Sequence, residues 1–245
     1  MRKHHLMTFF GILTLISTFS SCSESLDVKA FSYAVGTVTK DSADNYSLTL
    51  DNNKKLLLSD SIVINFHNIK EQDRIFASFY ILDEFAEGYD YIIQVSDLYK
   101  IQIKPVIKFT SDNADSIGHD RSEITRTWLH KDLLNIEFKI KGTGAVVHDI
   151  NLVSTEFSET TQSGYTLLEF RHNLNGDSER NLYHGIISFQ LGKFASPSTE
   201  AKGFIIRYKS FQDGEKEIKV NFRDKQEENV ERINRKPAGF DYSYN

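Results

Sequence analysis

The sequence contains little cysteine, proline and tryptophan: among 245 residues there are one cysteine, three prolines and one tryptophan. A single thiol cannot form an intramolecular disulfide, so the fold must be held together by core packing. The low proline content and the absence of low-complexity segments exclude collagen-like chains. The sequence also lacks a glycine-rich phosphate-binding loop and a Gly-x-Ser-x-Gly nucleophile motif. No catalytic motif, and no cofactor or metal motif, is therefore predicted.

Basic residues are outnumbered by acidic ones, 29 against 34, which gives a net charge of −5. Removal of an amino-terminal signal containing Arg2 and Lys3 leaves 27 − 34 = −7. Over residues 33–104, seven basic residues face eleven acidic ones. A nucleic-acid-binding surface needs clustered basic residues that replace the counterions of phosphates. The charge balance therefore excludes nucleic acid as a partner.

The amino terminus has the organisation of an export signal. Residues 6–19 form an apolar stretch, which is shorter than the roughly 20 residues needed to span a bilayer. The following segment, Phe19-Ser20-Ser21-Cys22, resembles the bacterial lipobox, in which the cysteine thiol receives a diacylglycerol before cleavage. We therefore predict a signal peptide over 1–21, lipidation of Cys22 and a tether over 22–31. The alternative is an ordinary signal peptide with an incidental cysteine or a free thiol.

A lipidated Cys22 determines where the protein resides. Several acyl chains hold a protein firmly on a membrane, whereas one chain holds it weakly. The mildly acidic segment 23–27, SESLD, loosely resembles the acidic export tag of surface lipoproteins in Bacteroidetes. We predict a lipid anchor in the outer membrane, and both the periplasmic and the surface face remain open.

The mature chain alternates apolar and polar residues with the period of a β-strand. Residues 32–110 are predicted to form an OB-like barrel of about five strands, since several short alternating segments are separated by Asp- and Asn-rich turns. Gly36 is predicted to lie at a bend or bulge of a barrel corner. The predicted strands lie at 33–40, 46–51, 56–66, 73–82 and 89–104.

A polar, turn-prone segment over 111–120 is predicted to be a linker, and residues 121–223 an antiparallel β-sandwich of about seven strands. In the strand around 133–141, Leu134 and Ile136 are predicted to face the core and Asn135 to face water. Trp128 is predicted to pack beneath the sandwich. The charged segment 224–245 is predicted to be a disordered tail. The whole chain is therefore predicted to be all-β.

The order of these segments resembles a known family. A lipoprotein signal leads to AVGTV, YSLTLDN, DRIFASFYILDE and YDYIIQV, and the second half carries TRTWLHKDLLNIEFKI, VHDINLV, LLEFRHNLNGD and ISFQLGKF. In the identity and order of these segments, the chain is similar to the NigD-like lipoproteins of Bacteroidetes. The resemblance implies an OB-type barrel, a carboxy-terminal β-sandwich and, more faintly, a bacteriocin immunity role. It departs at HNIKEQDR, where this loop looks too short for the helix of many OB barrels.

Three polar residues are candidates for function: His148, His172 and Asp177. Strand alternation places both histidines on apolar faces, where an imidazole can bind a metal or change charge with pH. A neutral, hydrogen-bonded core histidine is the simpler interpretation, because a zinc site needs at least three protein ligands. The loop over 171–181 offers side-chain oxygens at a spacing like that of a calcium-binding loop. Counted from Asn173, however, position twelve is His184 rather than the glutamate that an EF-hand loop needs, so a turn between strands explains the segment better.

The sequence therefore predicts a non-enzymatic, lipid-anchored envelope protein that binds another envelope or secreted protein. The alternative is a glycan-binding accessory of a surface uptake system. Sugar platforms would then come from tyrosines of the barrel, namely Tyr80, Tyr89, Tyr91 and Tyr99. The simpler interpretation is that these rings fill the barrel wall.

Overall fold

The computed structural model of the protein describes residues 31–83, 87–155, 164–195, 201–222 and 231–232. The predicted signal peptide, Cys22 and most of the predicted tail lie outside these residues. Within the described part of the chain, no helix has both the length and the apolar character needed to cross a membrane.

The first half of the chain is a closed barrel of five strands. The strand order is β1-β2-β3-β5-β4, and pairing of β1 with β4 closes the sheet. Inward side chains such as Leu48, Phe79 and Ile93 are buried in its core. The OB-like barrel predicted from the sequence is confirmed. The elements are β1 (Phe31–Lys40), β2 (Tyr46–Leu50), β3 (Lys55–Leu58), α1 (Ile62–Phe66), β4 (Arg74–Asp83) and β5 (Tyr91–Lys100).

Gly36 lies where β1 pairs with both of its neighbours, opposite Leu50 of β2 and Ile75 of β4. A Cβ atom at this position would lie 2.7 Å from the Thr49 carbonyl oxygen, closer than real Cβ atoms come. Only glycine therefore allows the strands to approach this closely at the point where the barrel closes.

The predicted strand over 56–66 is wrong, because β3 ends at Leu58 and a short helix follows. The Asp60 carboxylate accepts the Ile62 amide hydrogen at 2.5 Å at the start of this helix. Ile64 is fully buried and anchors α1 against the barrel core. The loop HNIKEQDR itself contains no helix, because the helix between β3 and β4 lies before it, within the segment predicted to be a strand.

The second half is a β-sandwich. One sheet has the order β14-β13-β11-β10-β7 and the other the order β6-β12-β9-β8. Their facing side chains form one core, which includes Phe170, Phe189 and Phe204. The strands are β6 (Gln102–Pro105), β7 (Ile107–Lys108), β8 (Glu123–His130), β9 (Leu133–Gly142), β10 (Asp149–Ser154), β11 (Tyr165–Asn173), β12 (Asn181–Gln190), β13 (Gly203–Lys209) and β14 (Glu215–Asn221).

The sandwich begins earlier than predicted. The predicted strand over 89–104 divides at Ile101, and β6 and β7 then pair in parallel with β12 and β10. A third parallel pair joins β11 to β13, so the sheets are mixed rather than purely antiparallel. These parallel pairs arise because the chain repeatedly crosses between the two sheets instead of returning by hairpins.

The predicted linker over 111–120 is part of the sandwich. It forms a 3₁₀ turn (Ser111–Asn113) followed by α2 (Ala114–Ile117). Ile117 is buried, and the Asn173 amide donates to the carbonyl oxygens of Asp115 and Ser116 at 2.9 and 3.0 Å. Within the predicted tail, β15 (Glu231–Arg232) pairs with β1 of the barrel.

Barrel and sandwich share a buried apolar interface formed by Val35, Phe76, Ile101, Trp128 and Ile186. Trp128 is 3% exposed and lies between the two domains rather than beneath the sandwich alone. The prediction for Trp128 is therefore wrong, because the outer face of this sheet is covered by the barrel.

A polar network crosses the same interface. Arg74 of the barrel, 1% exposed, donates from Nε to the Asn135 Oδ1 and Ser188 Oγ atoms of the sandwich, each at 3.0 Å. Its Nη1 atom donates to Asp51 Oδ1 at 2.8 Å, and Trp128 Nε1 donates to Asp51 Oδ2 at 2.6 Å. Asn135 is fully buried, so the prediction that it faces water is wrong.

Candidate functional site

The structure brings the three candidate residues into one hydrogen-bonded group, the histidine–aspartate cluster of His148, His172 and Asp177. His172 Nε2 lies 3.0 Å from His148 Nδ1, and His148 Nε2 lies 3.2 Å from Asp177 Oδ2. At the other end, His172 Nδ1 lies 2.9 Å from the Arg121 carbonyl oxygen. Both histidines are buried.

Strand register explains why the two histidines meet. Ile150 of β10 lies opposite His172 of β11, so His148, two residues earlier, is the diagonal neighbour of His172 on the same face. Gly142 leaves room for the ring, because a Cβ atom there would lie 2.7 Å from His148 Cε1. Asp177 comes from the turn that follows β11, where its amide donates to the Leu174 carbonyl oxygen at 3.0 Å.

The hydrogen-bond partners determine where the protons lie. The cluster has three contacts, and both ends, a carbonyl oxygen and a carboxylate, can only accept. Two neutral imidazoles supply only two N–H groups, so a third proton is needed to form all three bonds. With both rings neutral, at most two of the three contacts are therefore hydrogen bonds.

Two pKa shifts describe the ends of the cluster. Burial lowers the pKa of His172, which favours its neutral form with the proton on Nδ1. Hydrogen bonds from the amide and hydroxyl of Thr143 hold the pKa of Asp177 well below its usual range, so the carboxylate is ionised. His172 Nδ1 therefore donates to the Arg121 carbonyl oxygen, and the ionised Asp177 carboxylate can accept from His148 Nε2.

This arrangement does not resemble a catalytic base. Each ring nitrogen of His148 and His172 already has a partner inside the protein. A general base needs a free nitrogen within reach of the proton that it removes. Among the described residues, no group of three or more histidine, cysteine, aspartate or glutamate side chains is placed to hold a metal ion. Arg171, beside His172 on β11, forms an ion pair with Glu169.

The cluster adjoins a cavity of about 370 Å³ that lies between barrel and sandwich. Its apolar wall comes from both domains and consists of Ile69, Leu98, Phe138, Ile150, Ile186 and Ile187. Its polar wall consists of His67, Tyr99, Lys100, Gln102 and His148. Cavities that bind small molecules have similar volumes and a similar mixture of apolar wall and few polar groups.

Helix α1 presents two large apolar side chains to solvent beside this cavity. Ile62 is 73% exposed and Phe66 is 83% exposed, and the Phe66 ring meets the ring of His67 edge-on at 5.2 Å. Because these residues lie one helical turn apart, they form one surface, which we call the α1 surface.

The barrel tyrosines do not form an open row of sugar platforms. Tyr80 packs edge-on against Phe31, and Tyr99 donates to Asp97 at 2.5 Å. Tyr89 donates to Asp41 at 2.9 Å and joins the β1–β2 and β4–β5 loops. Hydrogen bonds from Asn45 and Tyr89 lower the pKa of Asp41 to about 2. The hydroxyls of Tyr89 and Tyr99 are therefore engaged within the barrel, whereas Tyr80 is 39% exposed beside Phe31.

Comparison with known proteins identifies the family. Residues 105–222 match the NigD-like C-terminal beta sandwich domain, and residues 35–101 match the NigD-like N-terminal OB domain. The chain belongs to the NigD-like family. The first matched range ends at Ile101 and the second begins at Pro105, the last residue of β6, so the ranges divide within the strand that begins the sandwich. Among curated proteins, none matches this NigD-like chain.

Solved structures of similar proteins share the architecture. A protein of unknown function from Bacteroides vulgatus is 30% identical, with a TM-score of 0.66 over 78% of this chain and 90% of that one. A protein from Parabacteroides distasonis described as toxin-related is 25% identical, with a TM-score of 0.61 over 78% and 93%. A NigD-like immunity protein from Bacteroides caccae is 18% identical, with a TM-score of 0.56 over 78% and 91%.

Sequence reasoning found the three members of the cluster but missed the buried polar network at the domain interface. Arg74, Asp51 and Ser188 are polar residues of strands or turns, and such residues usually face water. Ser188 and Asn135 are cross-strand partners, so a paired polar position in two otherwise apolar strands was the available signal. It cannot distinguish a face covered by another domain from a face in water.

Proposed function

We propose that this NigD-like protein is a non-enzymatic, lipid-anchored envelope protein that binds another protein through the α1 surface, with an immunity role against a toxin. The observation that carries the proposal is the exposure of Ile62 and Phe66 on a helix that the buried Ile64 holds in place. Large apolar side chains on a fixed platform are the usual anchors of protein interfaces, because burying them on binding removes much apolar surface from water.

The connection between the domains supports this proposal. Arg74 and Trp128 reach across the interface and hold barrel and sandwich together through buried hydrogen bonds. A preorganised surface loses less conformational entropy on binding than a mobile one. The α1 surface of the barrel is thereby held in a fixed position relative to the sandwich.

The family supports the immunity role. One structural relative is described as a NigD-like immunity protein and another as toxin-related. An immunity protein acts by binding its toxin, which needs a complementary surface but no reaction chemistry. The engaged ring nitrogens of His148 and His172 agree with such a role.

The test is affinity capture with the complete chain from residue 22 onward, carrying Cys22→Ala so that detergent is unnecessary. It is immobilised and exposed to envelope extracts and to secreted proteins of the producing cells. The test variant is the double substitution Ile62→Ser and Phe66→Ser. The matched control is Leu182→Ser, since Leu182 is an exposed apolar residue of the sandwich, 47% exposed.

We expect one partner to be captured by the unsubstituted chain and by Leu182→Ser. With the purified partner, the double variant should bind at least about tenfold more weakly, since interface anchors commonly contribute more than 1.4 kcal/mol each. Cells that carry the double variant should also lose protection when challenged with a partner that is a toxin. Capture of no specific partner, or equal capture by the double variant, would overturn the proposal.

A further inference from the structure

The cavity between barrel and sandwich is larger than the voids of ordinary packing. Protein interiors leave few voids bigger than a water molecule, whereas this one has a volume of about 370 Å³. Its apolar wall is contributed by both domains, with Ile69 and Leu98 from the barrel and Ile150, Ile186 and Ile187 from the sandwich. A ligand that covers this wall would gain apolar contact with both domains at once.

The polar wall has one sign of charge. Lys100, His67 and His148 line the cavity, and no aspartate or glutamate is among its lining residues. The Lys100 side chain is 57% exposed, and its ammonium lies 2.6 Å from the Asp73 carboxylate. Asp73 is not among the residues that line the cavity. On the far side of its ring, His148 contacts the Asp177 carboxylate at 3.2 Å. An anionic group in the cavity would therefore meet the Lys100 ammonium and no lining carboxylate.

Two polar side chains of the wall can form hydrogen bonds with a ligand. Within the described residues, neither the Gln102 carboxamide nor the His67 imidazole makes a side-chain hydrogen bond. Gln102 is exposed and lies at the start of β6, directly after the chain leaves the barrel. Its amide hydrogens can donate to a carboxylate oxygen beside Lys100, because a carboxylate accepts several hydrogen bonds.

We propose that this cavity is a binding site for a small amphipathic carboxylate, a molecule with an apolar chain and one carboxylate head. The apolar chain lies against the isoleucine wall, and the head meets Lys100 and Gln102 at the rim. The site uses residues of both domains, so its occupation stabilises their association. This binding is separate from the α1 surface and needs no protein partner.

The chain offers a built-in reporter for the test. Trp128 is its only tryptophan, and it belongs to the same buried cluster as Ile186, which lines the cavity. Filling the cavity should change the surroundings of this indole and hence its fluorescence. Sodium laurate is the probe, and dodecanol, which has the same chain length without the charge, is the matched neutral ligand.

The experiment titrates laurate into the complete chain from residue 22 onward with Cys22→Ala, followed by calorimetry and by Trp128 fluorescence. We expect saturable binding of one laurate per chain and binding of dodecanol at least about tenfold weaker, since a lost charge-assisted hydrogen bond commonly costs more than 1.4 kcal/mol. Ile186→Phe, which fills the cavity, should abolish binding. Its fold is checked by the temperature of its unfolding transition.

Lys100→Gln keeps the test decisive if Ile186→Phe fails to fold, because an exposed lysine does not support the core. It should weaken laurate binding about two- to fivefold, as expected for a partly solvated ion pair, and leave dodecanol binding unchanged. Lys219→Gln on β14, outside the cavity lining, is the matched control and should bind laurate normally. Absence of saturable laurate binding, equal affinity for dodecanol, or equal behaviour of the two lysine variants would overturn the proposal.

Discussion

The Nε2 atom of His172 lies 3.0 Å from the Nδ1 atom of His148, and the ring centroids are 5.0 Å apart. The outer nitrogens of both rings face acceptors, the Arg121 carbonyl oxygen and the Asp177 carboxylate. The contact joins β11 to the segment before β10. The cluster is therefore a stabilising element of the sandwich.

Replacement of His148 should destabilise the sandwich. In His148→Gln, the Asp177 carboxylate and the His172 Nε2 atom each lose a ring nitrogen as hydrogen-bond partner. We expect the free energy of unfolding to fall by about 1–3 kcal/mol, the usual cost of unsatisfied buried polar groups. Urea denaturation at neutral pH measures this loss. The control is His67→Gln, an exposed position on the barrel, and equal stability of the two variants would contradict the assignment.

The stability of the protein should fall as the pH decreases below about 6.5. Burial lowers the pKa of His172, so in this range the unfolded chain takes up a proton that the folded chain does not. Stability is therefore complete above the unfolded pKa and is lost as the pH falls towards the folded pKa. The pKa values of His119, His130 and His184 are lowered by burial in the same direction.

The contribution of His172 can be isolated by comparing two pH values. Between about pH 7.5 and 5.5, one histidine that stays neutral in the fold accounts for up to about 1.4 kcal/mol of the stability difference. His172→Gln should reduce that difference by a comparable amount, and urea denaturation at both pH values measures it. An unchanged difference would show that His172 does not titrate as its burial implies.

The sequence was sufficient to predict the two domains because strand alternation and turn chemistry are local properties. It also identified His148, His172 and Asp177 as unusual polar residues. It could not predict that they touch, since their contact depends on the register between β10 and β11 and on the conformation of the turn after β11. Register is set by long-range pairing, which a period of two residues leaves open.

The wrong predictions concern residues that contact the other domain and residues of the short helix that packs on the barrel core. Asn135 was assigned to water from the alternation of its own strand, and Trp128 was predicted to pack beneath the sandwich. The barrel covers the outer face of the sheet that contains them. Residues 62–66 have the apolar composition of a strand and form α1 instead. Their conformation follows from the position of Ile64 in the barrel core, where packing overrides local propensity.

Substitution of Cys22 should release the protein from the membrane. The predicted lipidation of Cys22 supplies the anchor, so Cys22→Ala should move the mature protein from the envelope fraction to the soluble fraction. Fractionation and mass spectrometry of the intact protein measure location and attached acyl mass together. Ser23→Ala is the matched control and should stay anchored. Recovery of unsubstituted protein without acyl chains would contradict the predicted anchor.

Disruption of the network around Arg74 should separate the unfolding of the two domains. In Arg74→Met the Asp51 carboxylate, whose side chain is 1% exposed, loses its cation. An unpaired buried charge of this kind costs about 3–5 kcal/mol, and Asn135 and Ser188 lose a shared donor. Calorimetry should therefore show one unfolding transition for the unsubstituted chain and two for the variant, one for each domain.

A double-mutant cycle distinguishes the ion pair from its surroundings. Adding Asp51→Asn to Arg74→Met removes the stranded charge, so the double variant should lose less stability than the sum of the single variants, by about 1–3 kcal/mol. Lys40→Met, in the exposed pair with Asp44, is the control and should have a much smaller effect because water screens that pair. Additive losses at Arg74 and Asp51, together with a single transition in Arg74→Met, would mean that the apolar contacts of Trp128 and Ile186 alone couple the domains.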